Sequence, residues 1–452
     1  MTEAGAADPA AEERATLRSE LGHWTAAARA LADLDAVAPP AAWARLESYL
    51  GRSVRSSLTG TVGRLARQCT QVDLGLASAG DAAELARVRR ELLALRRRYV
   101  QVETVVEFFA DAVATRADSR LGAALRGLDA LAVDSMDRVL RPLGIDVPPV
   151  LTYLDKGLGA SILRSGARLW DASLSPVAAI KVTHHNLWQP TSLVHETGHQ
   201  VAHLTGWDAE LAAALHEVLR PVPLAARWWR TWAGEVAADV YAFALLGFAP
   251  LPALATVVDG STPEVFRMLA GDPHPFGWIR VQFNAALCRS WYGPGPWDRV
   301  ARVWAHRHPP GAADPEAVEV AAQTMRHLDA LADVCTRTPM RAFGGRPLAA
   351  LADPRRVSPA ALATLARSAG PALYTSSYLR RLESMRILAW IVLSTGPGQV
   401  AGPGAGAVIG PMVGPAAGPV IGPAAAPLVG PAAAPVVEDW LRRMGGERSE
   451  AA

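Results

Sequence analysis

The sequence predicts an α+β protein that is mostly α: an N-terminal helical bundle, a small antiparallel sheet, a second helical region and a low-complexity C-terminal tail. Three observations carry that expectation. Apolar residues recur at helical spacing, with sparse Gly and Pro, from about Glu12 to Leu143. Short apolar runs bounded by turn residues follow between Val150 and Val182. Helical spacing returns at Thr191 and continues to about Thr395, where a Gly- and Pro-rich repeat begins. The expected layout is a disordered N-terminus over 1–15, a bundle over 16–147, a mixed domain over 148–395, a linker over 396–437 and a short terminal helix with its tail over 438–452.

The bundle is the most regular part. Leu85, Val88, Leu92, Leu95, Tyr99, Val102 and Val106 step by three or four, the period of one helix face. Three to five antiparallel helices are expected. The arginines Arg87, Arg89, Arg90, Arg96, Arg97 and Arg98 read as a solvated face with Glu84 and Glu91 as local partners. A net charge of +2 gives no argument for nucleic acid. The bundle is expected to cover a cleft or to meet a protein partner.

Near Pro148 the texture changes. Val150–Leu154, residues 160–163 and Ala178–Val182 are the candidate strands. Helices are then expected at about 191–204, 208–219, 224–246, 262–271, 277–291, 297–307, 314–334, 358–369 and 374–394. Ten of the 14 Trp fall between Trp170 and Trp304, which marks that region as a packed core. Cys69, Cys288 and Cys335 are odd in number and far apart, so neither a disulfide framework nor a cysteine zinc site follows. They suit a reducing compartment. The acidic start, without a basic segment and an apolar core, does not read as a signal peptide, and no apolar run is long enough to span a membrane. A cytoplasmic protein without stable membrane insertion is expected.

From Gly410 to Pro435, Gly-Pro or Ala-Pro recurs mostly every fourth residue, and no charge occurs between Arg386 and Glu438. Collagen needs a period of three, and proline at this density excludes a helix. The segment reads as a tether, so a chain ending at about Gly396 is expected to keep its metal content and activity.

The chemistry concentrates in His195-Glu196-Thr197-Gly198-His199. On a helix, residues four apart share a face, so both imidazoles can reach one metal, and Zn²⁺ favours such nitrogen ligands. Glu196 is placed to touch a water on that metal, the position of a general base. A catalytic zinc needs a third protein ligand. Glu235 is the candidate, on an Ala-rich segment that also carries Asp239 one turn later. Asp239 can accept the free N–H of a ligand histidine and fix its tautomer. Glu210 and Glu217 are rivals for the third ligand, but neither has an acidic residue one turn later. Asp272-Pro-His274 and Arg280 follow; either cation can steady an oxyanion, as can the hydroxyl of Tyr241.

The pattern His195-Glu196-x-x-His199 followed by Glu235-x-x-x-Asp239 resembles the gluzincin branch of the zincin metallopeptidases over roughly residues 150–310, about a third of the chain. The resemblance implies that strands precede the active-site helix and that His195, His199 and Glu235 bind Zn²⁺. It implies Glu196 as the base and Asp239 as the residue supporting a ligand histidine. Many zincin-like bacterial proteins also place His-Pro and Arg after the glutamate helix, which brings His274 and Arg280 into the candidate site. The metzincin pattern fits worse, because Ala202 and Thr205 stand where it has Gly and His. The expected activity is zinc-dependent hydrolysis of a peptide or protein amide bond. The rival expectation is a helical interaction protein whose zinc site is structural or degenerate.

Overall fold

The structure is a computed structural model that describes residues 8–156, 160–169, 172–187, 190–395 and 434–451. It is mostly helical, with one small three-stranded sheet. The chain divides into two compact units. One comprises Met1–Gly122 with Leu163–Ala178, the other Ala123–Ile162 with Ala179–Ala451. The division runs inside the helix Ser119–Leu140, upstream of the change of texture near Pro148.

In the first unit, three long helices, Pro9–Leu31, Val54–Ser78 and Ala82–Thr115, pack on one another beside Pro40–Leu50. Their buried residues keep the helical step: Leu58, Val62, Leu65, Cys69, Val72 and Leu76 on one helix, Leu85, Val88, Leu92 and Leu95 on the next. Local chemistry sets the starts. Asp8, Ser53 and Asp81 each accept a backbone N–H of the first turn, and Pro9 takes a position that tolerates proline. Residues 9–15 are therefore helical, contrary to the expected disorder of 1–15; residues 1–7 lie outside the described residues. The arginine stripe is exposed, with Arg87 3.9 Å from Glu91 and Arg89 4.0 Å from Glu13.

Most of the sheet lies in the second unit. Strands β1 (Val150–Leu154), β2 (Ser161–Leu163) and β3 (Ala178–Val182) are ordered β1-β3-β2. The sheet is mixed, not wholly antiparallel as expected. Placing β3 between the other two requires a crossover, which turn signals in the sequence do not reveal. Asp129 pins β1 from the side: its Oδ1 accepts the Thr152 N–H at 2.6 Å and the Thr152 hydroxyl at 2.7 Å. β3 is almost wholly buried and leads through one turn, His184–Asn186, toward the helix Thr191–Thr205.

Three expected helices are broken: two are split in two, and the 374–394 segment is divided among Ala372–Thr375, Ser377–Leu382 and Ser384–Thr395. The 224–246 segment breaks at Trp232 into Pro223–Thr231 and Ala233–Leu246. Trp232 is buried there against Trp228, Trp229 and Phe276, with ring centroids 5.5–6.2 Å away. The 314–334 segment breaks into Pro315–Met325 and Leu328–Thr336, and only Thr262–Val265 of the expected 262–271 is helical.

The tail departs most from expectation. Residues 396–433 lie outside the described residues, but Ala434–Ala451 is a helix that includes Pro435 in its first turn. Val437, Trp440 and Leu441 are fully buried and Met444 nearly so. The expected independence of everything after Gly396 does not hold, because this amphipathic face belongs to the core of the second unit.

Candidate metal centre

The helix Thr191–Thr205 carries the histidine motif and ends at Gly206, whose φ of 71° suits a left-handed cap. Leu193, Val194, Val201 and Ala202 bury its flanks. His195 and His199 project from one face, ring centroids 4.9 Å apart and edge to face. Beside that face the helix meets Ala233–Leu246 very closely at Gly198. A Cβ there would sit 2.9 Å from Ala238 Cα and 3.0 Å from Tyr241 Cβ, so only glycine lets the two helices approach this far.

That second helix is buried at every position except Gly234, which explains its nearly uniform apolar character. Glu235 and Asp239 interrupt it on the face toward the histidines. Glu235 Oε2 is 3.4 Å from His195 Nε2, and Oε1 is 3.2 Å from His199 Nε2. Asp239 Oδ1 accepts the Nδ1–H of His195 at 2.9 Å. That bond fixes the tautomer and leaves Nε2 as the ligand atom. Arg280, in the first turn of Gly277–Tyr292, donates to both Asp239 oxygens at 2.7 and 2.8 Å and to Glu235 Oε2 at 3.2 Å. Asn284, one turn further, donates to Asp239 Oδ2 at 3.2 Å.

The electrostatics are those of a cation trap. Glu196, Glu235 and Asp239 are buried carboxylates, and the one buried guanidinium beside them is Arg280. Burial alone would drive each carboxyl toward its neutral form. For Asp239, the Arg280 charge and hydrogen bonds outweigh burial and hold the carboxyl well below its usual range. For Glu235, burial is outweighed by the hydrogen bonds from His195 and His199, with the same result. Burial disfavours the charged form of His195, but bonds to Asp239 and then Glu235 prevail and push it up to about 10. Burial also raises Glu196, against the pull of His195 and His199. The excess negative charge is thus balanced by a proton on His195 where a dication would serve.

The ligand atoms of His195, His199 and Glu235 all lie within 4.8 Å of one another, a group able to hold a metal ion. Glu235 approaches the two imidazoles with different oxygens, Oε1 at 3.2 Å from His199 and Oε2 at 3.4 Å from His195.

The other sequence candidates divide. His274 lies beside the centre, its Nε2 3.3 Å from Glu235 Oε1 and its side chain half exposed. Asp272, which sequence reasoning left without a role, holds His274 Nδ1 at 2.6 Å and also accepts its backbone N–H. Arg280 is at the centre but is committed to Asp239 and Glu235, so it positions carboxylates instead of waiting for an oxyanion. Tyr241 is not in the cleft. It is fully buried, and its hydroxyl donates to the Ser135 carbonyl at 2.6 Å. Helical geometry is the reason: two residues beyond Asp239 is about 200° around the axis. Glu210 accepts the N–H groups of Arg341 and Ala342, and Glu217 pairs with Arg220, so neither rival joins the histidines. Asn284 was legible as the residue one turn beyond Arg280, whereas no local pattern marks Ser135 or Gly198. No protein-family model matches the chain, and neither a curated protein nor a solved structure matches it.

Proposed function

We propose that the protein is a zinc-dependent metallohydrolase acting on the amide bonds of peptide or protein substrates. The observation that carries this reading is the convergence of two imidazole nitrogens and a carboxylate within 4.8 Å of one another, beside the buried acid Glu196. His195, His199 and Glu235 would hold the ion; two nitrogens and one oxygen suit Zn²⁺ and leave a fourth position for substrate. Bound there, Zn²⁺ supplies Lewis-acid polarisation and lowers the pKa of water.

The protein groups do the rest. Glu196, its affinity for a proton raised by burial, takes a proton from the attacking water and later delivers it to the leaving amine. His274, held through Nδ1 by Asp272, turns Nε2 toward the centre, where its imidazolium form would donate to the oxygen that gains charge. Asp239 holds His195, and Arg280 with Asn284 holds Asp239. The three buried, unpaired cysteines accord with a reducing, cytoplasmic setting. Among the described residues no helix is long and apolar enough to cross a membrane.

The test is Glu196→Gln in the full chain. It should keep stoichiometric zinc and lower hydrolysis of an unstructured protein substrate by about 10²–10⁴-fold. Wild-type turnover by this variant would overturn the mechanism. Zinc bound without turnover in the wild-type chain would favour a structural site instead.

A further inference from the structure

The C-terminal helix Ala434–Ala451 makes an unusually close contact. A Cβ on Gly445 would lie 2.6 Å from the Ala123 carbonyl oxygen and 2.9 Å from Arg126 Cβ. A Cβ on Gly127 would strike the Leu441 carbonyl. Two glycines therefore let this helix lie backbone to backbone on Ser119–Leu140, with Trp440 and Leu441 fully buried. Residues 396–433 separate it from Thr395 in sequence, so its place is set by this packing and not by a short connection.

The helix it clamps also reaches the metal centre. About two turns beyond Gly127, Ser135 Oγ donates to Thr197 Oγ1 at 2.7 Å, and the Ser135 carbonyl accepts from Tyr241 at 2.6 Å. Thr197 lies between the two ligand histidines in sequence, and Tyr241 is two residues past Asp239. One residue thus ties together the backs of both ligand-bearing helices. All of these groups are buried, where a misplaced partner leaves polar atoms unsatisfied.

We propose that the C-terminal helix is a positioning element for the metal centre, acting through Ser135 on the helices that carry His195, His199 and Glu235. The proposal rests on reading those residues as metal ligands. It also implies that the docking groove accepts the same helix supplied as a separate peptide.

The experiment uses full-length protein with Gly445→Val, which alters only the docking helix. Co²⁺ affinity is followed by its visible spectrum, and hydrogen exchange is read over 191–205, 434–451 and the first-unit helix Val54–Ser78, which packs on Pro9–Leu31 and Ala82–Thr115. Release of 434–451 should weaken Co²⁺ binding at least tenfold and speed exchange in 191–205 at least tenfold, with Val54–Ser78 unchanged. A wild-type 434–452 peptide should restore both values, and the same peptide carrying Gly445→Val should not. Release of the helix with Co²⁺ affinity and exchange in 191–205 unchanged would overturn the proposal, as would failure of the wild-type peptide to restore them. Should Gly445→Val not fold, Ser135→Ala decides: weaker Co²⁺ binding with 434–451 still protected supports the coupling, and wild-type affinity refutes it. If the wild-type chain binds no Co²⁺, the metal reading fails while the exchange measurements still judge the coupling.

Discussion

Two histidines in the second unit each face a carboxylate, and their surroundings shift their pKa values in opposite directions. His195 bonds to Asp239 and lies beside Glu235, and it is pushed up to about 10. His308 bonds to Asp259 at 3.1 Å and packs on Trp304, yet its pKa falls. Burial opposes the imidazolium in both places. At His308 it prevails, because Asp259 is partly solvated and shared with Arg307. At His195 two buried carboxylates, fixed by Arg280 and the helix spacing, reverse the balance. A single His–Asp pair is a structural tie. A second carboxylate one turn away turns it into a site that demands positive charge.

The sharpest way to break this contrast is Glu235→Gln. It should abolish stoichiometric zinc by metal analysis and bring the His195 titration, followed by NMR, down toward that of an ordinary imidazole. Zinc retained at unit stoichiometry would remove Glu235 from the centre. Asp239→Asn should come next. Losing a residue that orients a ligand histidine typically costs 10–100-fold in metal affinity. It also takes one of two carboxylates from the buried Arg280, which keeps Glu235, a loss of about 1.5–3 kcal/mol readable in urea melts. Gly198→Ala, which pushes the two ligand helices apart, should cost about 1–3 kcal/mol in the same melts, with weaker zinc binding. Full stability and full zinc loading in that variant would mean that the close helix contact is not needed.

Proton competition sharpens the comparison further. Metal binding must displace the His195 proton, so affinity should rise with pH by up to about tenfold per unit below about pH 10. In chelated protein the sign is reversed for stability. The His195 value is raised, so its contribution is complete below about pH 6.5 and is lost as the pH climbs toward 10. Glu235 and Asp239 are depressed, so their contributions are present above about pH 4 and lost as the pH falls. His308, with a lowered value, works the other way from His195 and removes stability below about pH 6.5. Melts with and without chelator from pH 4 to 10 should therefore diverge most at the alkaline end. The smallest effect belongs to Asp259→Asn: about 1 kcal/mol or less in melts, with zinc binding unchanged.

Much of the site was legible because it is written in helical spacing. His195 with His199, and Glu235 with Asp239, are four apart, and one-turn geometry makes such pairs neighbours whatever surrounds them. The same rule excludes Tyr241 from the Asp239 face. Arg280 was read for its charge but not for its partners. Its role depends on how Gly277–Tyr292 packs against Ala233–Leu246, a distance that no local pattern encodes. Ser135 escaped notice for the same reason, whereas the Asp272–His274 contact spans two residues and lay within reach of a local reading.

The sequence by itself determined the helical class, the positions of the strands and the two pairs of candidate site residues, because each follows from periods of two or 3.6 residues and from end signals such as Asp8, Ser53 and Asp81. Only the tertiary structure decided the mixed order of the sheet, the meeting of the two pairs at Gly198, and the seat of the C-terminal helix across a low-complexity stretch. Those features depend on packing between segments distant in the chain, where a missing Cβ at Gly198, Gly127 or Gly445 sets how closely two backbones approach.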